Sequence, residues 1–264
     1  MDGTRVTPGL TMVEATPSDA LRPYVTRLCA YREHYGRPLA RVEHPFPGAV
    51  LILGLGAPME VDGVSVTAFT GGLSDRATLT RVAAPTEGVE VHLTPFGARR
   101  LFGLPMRELT NLTLPVEDLL GPWSCTAVAR LAETPSWPDR LALTDRLLSR
   151  RILAAPEVGP QIPWAWGRLL ASGGTVAVRS LGEELGWSHR HLIARFHDQV
   201  GLSPKTAARV IRFDRALGRL RAGAPIAEVA ADCGFYDQAH LSREFRALAG
   251  APPGQVTFVQ DSGA

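Results

Sequence analysis

Between residues 226 and 246 the chain reads Ile226-Ala227-Glu228-Val229-Ala230-Ala231-Asp232-Cys233-Gly234-Phe235-Tyr236-Asp237-Gln238-Ala239-His240-Leu241-Ser242-Arg243-Glu244-Phe245-Arg246. The same pattern is already present upstream, where Leu181, Gly186, Ser188, Leu192, Phe196, Gly201 and Pro204 prefigure Val229, Gly234, Asp237, Leu241, Phe245, Gly250 and Pro253. From Leu192 onward the intervals are 4, 5 and 3 in both copies, so each residue recurs 49 positions later. The Leu181/Val229 and Gly186/Gly234 pairs recur at 48, so one residue is inserted in the second turn. Matched spacing of this kind marks a repeated supersecondary unit.

Each copy has a local physical logic. A short helix, 178–185 in the first and 225–232 in the second, is expected to stop at a Gly able to adopt the left-handed backbone. Ser188 or Asp237 then stands where an N-cap oxygen is wanted, and a second helix follows with its Leu and Phe four apart on one face. Two helices joined by a tight turn form a helix-turn-helix, whose second helix fits the major groove of DNA. A structural αα-hairpin would share the pattern of one copy; two matched copies in the basic part of the chain favour the helix-turn-helix.

The charge distribution points the same way. The 264 residues carry a net charge of +2, with 16 basic and 17 acidic side chains before residue 160 but 12 basic and 9 acidic after it, together with four of the seven histidines. Lys205, Arg209, Arg212, Arg215, Arg219 and Arg221 have only Asp214 as a local counter-charge. Such density suits phosphate, although a solvated helix face shares it, and Arg209 and Arg212 are expected to pair with Asp214 or Glu228.

The N-terminal half reads differently. Val25–Tyr35, Ala49–Leu55, Val64–Phe69, Ala77–Val82 and Gly88–Thr94 are β-compatible runs separated by Gly, Pro or Asp clusters, as in a small antiparallel barrel or sandwich. Helical spacing follows over Leu119–Ala132 and Asp139–Leu153, and these helices are expected to close the β domain or support self-association. Pro156, Gly159, Pro160 and Pro163 then crowd eight positions. The boundary is placed there, giving a β-rich domain at 1–157 and a helical domain at 158–264. The fold class is α+β in two domains.

At this point the residues resemble a known family. The 226–246 stretch is similar to the second helix-turn-helix of the AraC/XylS family of bacterial transcription regulators. Gly201-Leu202-Ser203-Pro204 and Arg212-Phe213-Asp214-Arg215-Ala216 look like its junction and connecting helix. The resemblance covers about 100 residues. More weakly, Leu21-Arg22-Pro23-Tyr24-Val25 and Pro95-Phe96-Gly97-Ala98 with Leu101-Phe102-Gly103 look like the family's β-rich sensory portion, implying a cupin-like barrel. It implies a sequence-specific regulator reading two successive major grooves with helices near 188–198 and 237–248. Partners would be double-stranded operator DNA, with RNA polymerase, a small-molecule effector and a second copy of the chain as further candidates.

Helix periodicity selects the faces that would meet DNA. With Leu192 and Phe196 inward, Arg190, Ile193, Ala194 and His197 lie opposite; with Leu241 and Phe245 inward, Ala239, Ser242, Arg243 and Arg246 do, with Gln238 and His240 near the tip. The resemblance puts DNA contacts on these same faces. Base contacts are assigned to Arg190, Ile193, Ala194, Gln238, Ala239, Ser242 and Arg243, because Arg suits guanine, Gln adenine and small apolar groups a thymine methyl. Phosphate contacts are assigned to His197, His240 and Arg246.

Other chemistries find little support. Cys29, Cys125 and Cys233 are odd in number and dispersed, so they are read as buried small hydrophobes rather than a disulfide framework or zinc cluster. Glu90 and His92 share a strand face, which a half-exposed polar surface explains, and His34, His44 and His92 lack the spacing of a metal cupin. Gly54-Leu55-Gly56 and Gly71-Gly72 lack the remainder of a phosphate loop. No enzyme activity, cofactor or metal is expected, and with no membrane span or secretory signal the location is read as cytoplasmic. The alternative is a cupin-like metalloenzyme or effector-binding module fused to a helical protein-interaction domain.

Overall fold

The computed structural model of the chain describes residues 3–258. In chain order it runs through β1 (Gly3–Thr7), β2 (Leu10–Ala15), β3 (Val25–Glu33), β4 (Leu39–Glu43), β5 (Ala49–Gly54), β6 (Met59–Val61), β7 (Val64–Val66), β8 (Phe69–Gly71), β9 (Thr78–Val82) and β10 (Thr86–Leu93). Then come α1 (Pro95–Phe102), a 3-10 turn at Met106–Glu108, β11 (Thr113–Pro115), α2 (Val116–Leu120), α3 (Pro122–Glu133) and α4 (Trp137–Ala154). The remainder is helical: α5 (Gln161–Ala171), α6 (Val178–Leu185), α7 (His189–Val200), α8 (Pro204–Arg221), α9 (Ile226–Asp232), α10 (Gln238–Ala249) and α11 (Pro253–Phe258).

Among the described residues the strands form two antiparallel sheets, ordered β1-β2-β3-β10-β5-β8-β11 and β4-β9-β6-β7, rather than one closed barrel. Strand alternation divides the core. Cys29, Tyr31, Ile52 and Phe69 of the larger sheet meet Met59, Val61, Val66 and Val82 of the smaller one. The intervening Leu28, Ala30, Leu51, Leu53, Val89 and Val91 face the other way, into a core shared with the helices. There α4 buries Leu141, Leu143, Leu148 and Ile152, so this helix does cover the β domain.

Local departures from the sequence reading have local causes. The Val64–Phe69 run divides into β7 and β8, which join different sheets. The helix expected over 119–132 is broken at Gly121, whose φ of 53° ends α2 before Pro122 begins α3. Cys29 and Cys233 are buried, but Cys125 is exposed, contrary to its reading as a core residue. The Glu90–His92 pair is more enclosed than a half-exposed surface. His92 Nε2 lies 2.6 Å from Glu90 Oε1, and Phe46 stacks on the imidazole at 4.6 Å. Burial favours a neutral Glu90, but the His92 contact together with the Arg27 and Arg41 guanidinium groups outweighs it and holds the carboxyl below the usual range.

The hydrophobic core runs without a break from the β-rich half into the helices, through Met106 and Leu109 to Val200, Leu202 and Phe213. Arg99 and Arg107 both ion-pair with Asp198 near the C-terminal end of α7. Thr110 Oγ1 donates to the Gly201 carbonyl at 2.6 Å. Gly201 has a φ of 96°, and a Cβ there would sit 3.0 Å from the Met106 carbonyl oxygen. Its lack of a side chain thus serves both the helix cap and the contact between halves.

Candidate nucleic-acid interface

Both repeats fold as helical hairpins. In the first, Gly186 takes the left-handed C-cap with φ 66°, and the Ser188 side chain accepts from His191 N to start α7. In the second, Cys233 occupies the cap of α9 and Gly234 carries the positive φ one residue later, 74°. Asp237 then accepts from His240 N at 2.6 Å to start α10. Leu192, Phe196, Leu241 and Phe245 are fully buried, which fixes the rotation of α7 and α10 about their axes.

The opposite faces are open. Arg190, Ala194 and His197 on α7 are exposed and Ile193 is half-buried; Gln238, Ala239, Arg243 and Arg246 on α10 are exposed and Ser242 is half-buried. The structure thus gathers the sequence-selected residues into two outward faces, one on each second helix. Arg195, which the sequence reading left out, is also exposed on the flank of α7.

His240 differs from the rest. It is half-buried, and its Nδ1 accepts the Tyr236 N–H at 3.2 Å, while its Nε2 lies 4.0 Å from Glu244. The imidazole braces the turn, leaving Nε2 as the nitrogen on the Glu244 side.

Between the hairpins lies α8, whose Ser203 cap accepts from Thr206 N and whose inward face buries Ala207, Val210, Ile211, Phe213 and Leu217. Phe213 and Phe245 meet at 4.7 Å between ring centroids, seating the second hairpin on α8. The arginines of α8 do not pair as expected. Arg209 reaches across to Glu244 on α10 at 2.8 Å, and Arg212 donates to the Gly174 carbonyl at 2.6 Å. Asp214 and Glu228 are not the partners because the packed hairpins bring Glu244 and the α5–α6 turn nearer. Arg219 pairs with Asp232 on α9. Burial pushes the Cys233 thiol above its ordinary range, in keeping with a core role.

Among the described residues, no group of three or more His, Cys, Asp or Glu could hold a metal ion, and no helix is long and apolar enough to cross a membrane.

This geometry defines a tandem helix-turn-helix domain, a class built to present paired helices to DNA. Residues 181–257 match the family model of a helix-turn-helix domain. A Bacillus subtilis (strain 168) protein, described as an uncharacterized HTH-type transcriptional regulator YbfI, is 35% identical over 66 residues. That match takes in 25% of this chain and 24% of the relative, so the chain spans about a quarter of the curated relative's length. The fold of ToxT from Vibrio cholerae is similar across 88% of this chain and 97% of that one, with 12% identity and a TM-score of 0.52. The C-terminal domain of AraT, a response regulator from Geobacillus stearothermophilus, is 24% identical across 39% of this chain and 88% of that domain, with a TM-score of 0.37.

Proposed function

We propose that the whole chain is a sequence-specific transcription regulator acting in the cytoplasm, with residues 158–264 reading operator DNA and residues 1–157 regulating that reading. The observation that carries this is the pair of outward faces on α7 and α10, held on one connecting helix. At about 1.5 Å per residue, the 18 residues of α8 extend roughly 27 Å. Hairpins projecting beyond its ends suit grooves about 34 Å apart. Arg190, Ile193, Ala194, Gln238, Ala239, Ser242 and Arg243 address base edges, and His197 and Arg246 address phosphate. His240, braced within its turn, acts on DNA only through its Nε2 edge.

An effector in the β-rich half, a second copy or RNA polymerase would act through the contact between halves at Asp198 and Gly201. An effector shifts DNA binding only by as much as its affinity differs between competent and incompetent arrangements. The test is selection of duplexes from a random library by the full chain, followed by footprinting. Two protected segments about one helical turn apart per protomer are expected. Protection of a single groove refutes the two-helix reading, and absence of salt-dependent DNA binding refutes the regulator.

A further inference from the structure

The two repeats agree in spacing except for one residue, and the structure shows which it is. The first turn passes from Gly186 through Trp187 to the cap Ser188; the second passes from Gly234 through Phe235 and Tyr236 to the cap Asp237. Trp187 and Phe235 correspond, each turned towards the body of its hairpin, with Phe235 buried. Tyr236 is the insertion. The first hairpin closes without such a residue, so the turn itself does not require it.

Nor does the side chain pack. Tyr236 is 92% exposed, above every other large apolar or aromatic side chain among the described residues, the next being Val6 at 69%. Its backbone is nevertheless pinned, because its N–H is taken by His240 Nδ1 at 3.2 Å and the next residue caps α10. A fixed backbone with a free aromatic side chain, one residue before the cap of a reading helix, projects a phenol from the edge of the DNA-facing surface. Gln238 and Ala239, which follow the cap on the first turn of α10, are both exposed. A rigid side chain with two rotatable torsions loses little conformational freedom on contact, and its hydroxyl can donate to an anionic oxygen.

We propose that Tyr236 is a further DNA-contacting residue, whose phenol hydroxyl donates to a backbone phosphate flanking the groove entered by α10 and so sets that helix's register. The inference rests on the regulator reading above. It makes the second hairpin the more firmly anchored of the two, since the first has no counterpart to this side chain. The contact carries no positive charge, so unlike an arginine contact it releases no counterion of its own.

The experiment measures binding of the full chain, over a series of salt concentrations, to a duplex it has itself selected and to a random-sequence duplex. Tyr236→Phe should weaken both by about tenfold, equivalent to about 1.4 kcal/mol, with the salt slope unchanged. Tyr236→Ala should weaken both at least as much, and thermal unfolding without DNA should match the wild type because the side chain is exposed. If Tyr236→Phe binds like the wild type while Tyr236→Ala loses affinity only for the selected duplex, the ring packs on bases and the phosphate assignment is overturned. If both variants bind like the wild type, Tyr236 does not touch DNA and any partner it serves is a protein. If the wild type selects no duplex and binds random DNA with no salt dependence, the regulator reading falls together with this inference; Arg243→Ala losing selected-site affinity alongside unaffected Tyr236 variants overturns this inference alone.

Discussion

Arg209 offers a quantitative test of how the second reading helix is held. Its Nε donates to Glu244 Oε2 at 2.8 Å, and the two side chains are 29% and 17% exposed. Exposed pairs contribute about 0.2–1 kcal/mol, whereas removing one partner of a buried pair costs about 3–5. This pair lies between those limits and includes a hydrogen bond between charged groups, so Arg209→Met should destabilise by about 2 kcal/mol, with the methionine keeping much of the stem packing. For a chain of this size that lowers Tm by about 4–8 °C. Glu244→Gln retains an acceptor and should cost about half as much. A double-mutant cycle with Arg209→Met and Glu244→Leu, followed by thermal unfolding, should give a coupling of about 1–2 kcal/mol. Affinity for a selected duplex should fall with Arg209→Met as well, because Gln238 and Arg243 depend on the orientation of α10. Additivity within about 0.5 kcal/mol would refute the pairing as a source of stability. Unchanged DNA affinity in a destabilised variant would refute its role in placing the helix.

Three further outcomes are expected. Arg243→Ala should cost about 1–3 kcal/mol on the selected duplex and relax preference at one base position, whereas Arg246→Ala should weaken all duplexes alike and reduce the salt slope by about one; equal loss on selected and random DNA for Arg243→Ala contradicts the base contact. Gly201→Ala should lower thermal stability by at least about 1–2 kcal/mol, since φ is 96° and the new Cβ would meet the Met106 carbonyl oxygen at 3.0 Å; an unchanged Tm would show that the contact between halves gives way freely. Burial, then the nearby Arg221, holds the His44 imidazole below its ordinary value of 6.5, so its contribution to stability is present above that pH and is lost as pH falls through the lowered value. Relative to His44→Gln, the wild type should therefore lose Tm progressively below pH 6.5, and parallel pH profiles for the two proteins would exclude that linkage.

The helical half was readable from the sequence because its instructions act over a few residues. The Ser188, Ser203 and Asp237 caps each bond a backbone N–H three positions on, and Leu and Phe four apart mark the buried face without reference to the remainder of the chain. That is why α6 could be delimited from spacing alone, and why the outward faces of α7 and α10 could be named. The strands were less legible. Whether Val64–Phe69 is one strand or two depends on β7 pairing with β6 while β8 pairs with β5 and β11, and short runs carry no record of their partners. The partner of Arg209 lies 35 residues away and that of Arg99 lies 99 away, so sequence neighbours such as Asp214 were misleading guides. Spacing also showed that one residue was inserted in the second turn, but only the packed hairpin shows Phe235 buried and Tyr236 left in solvent. Caps and periodicity are local free-energy terms written into adjacent residues, whereas ion-pair partners, sheet order and exposure depend on which surfaces meet once distant segments pack, and those are decided by the tertiary structure.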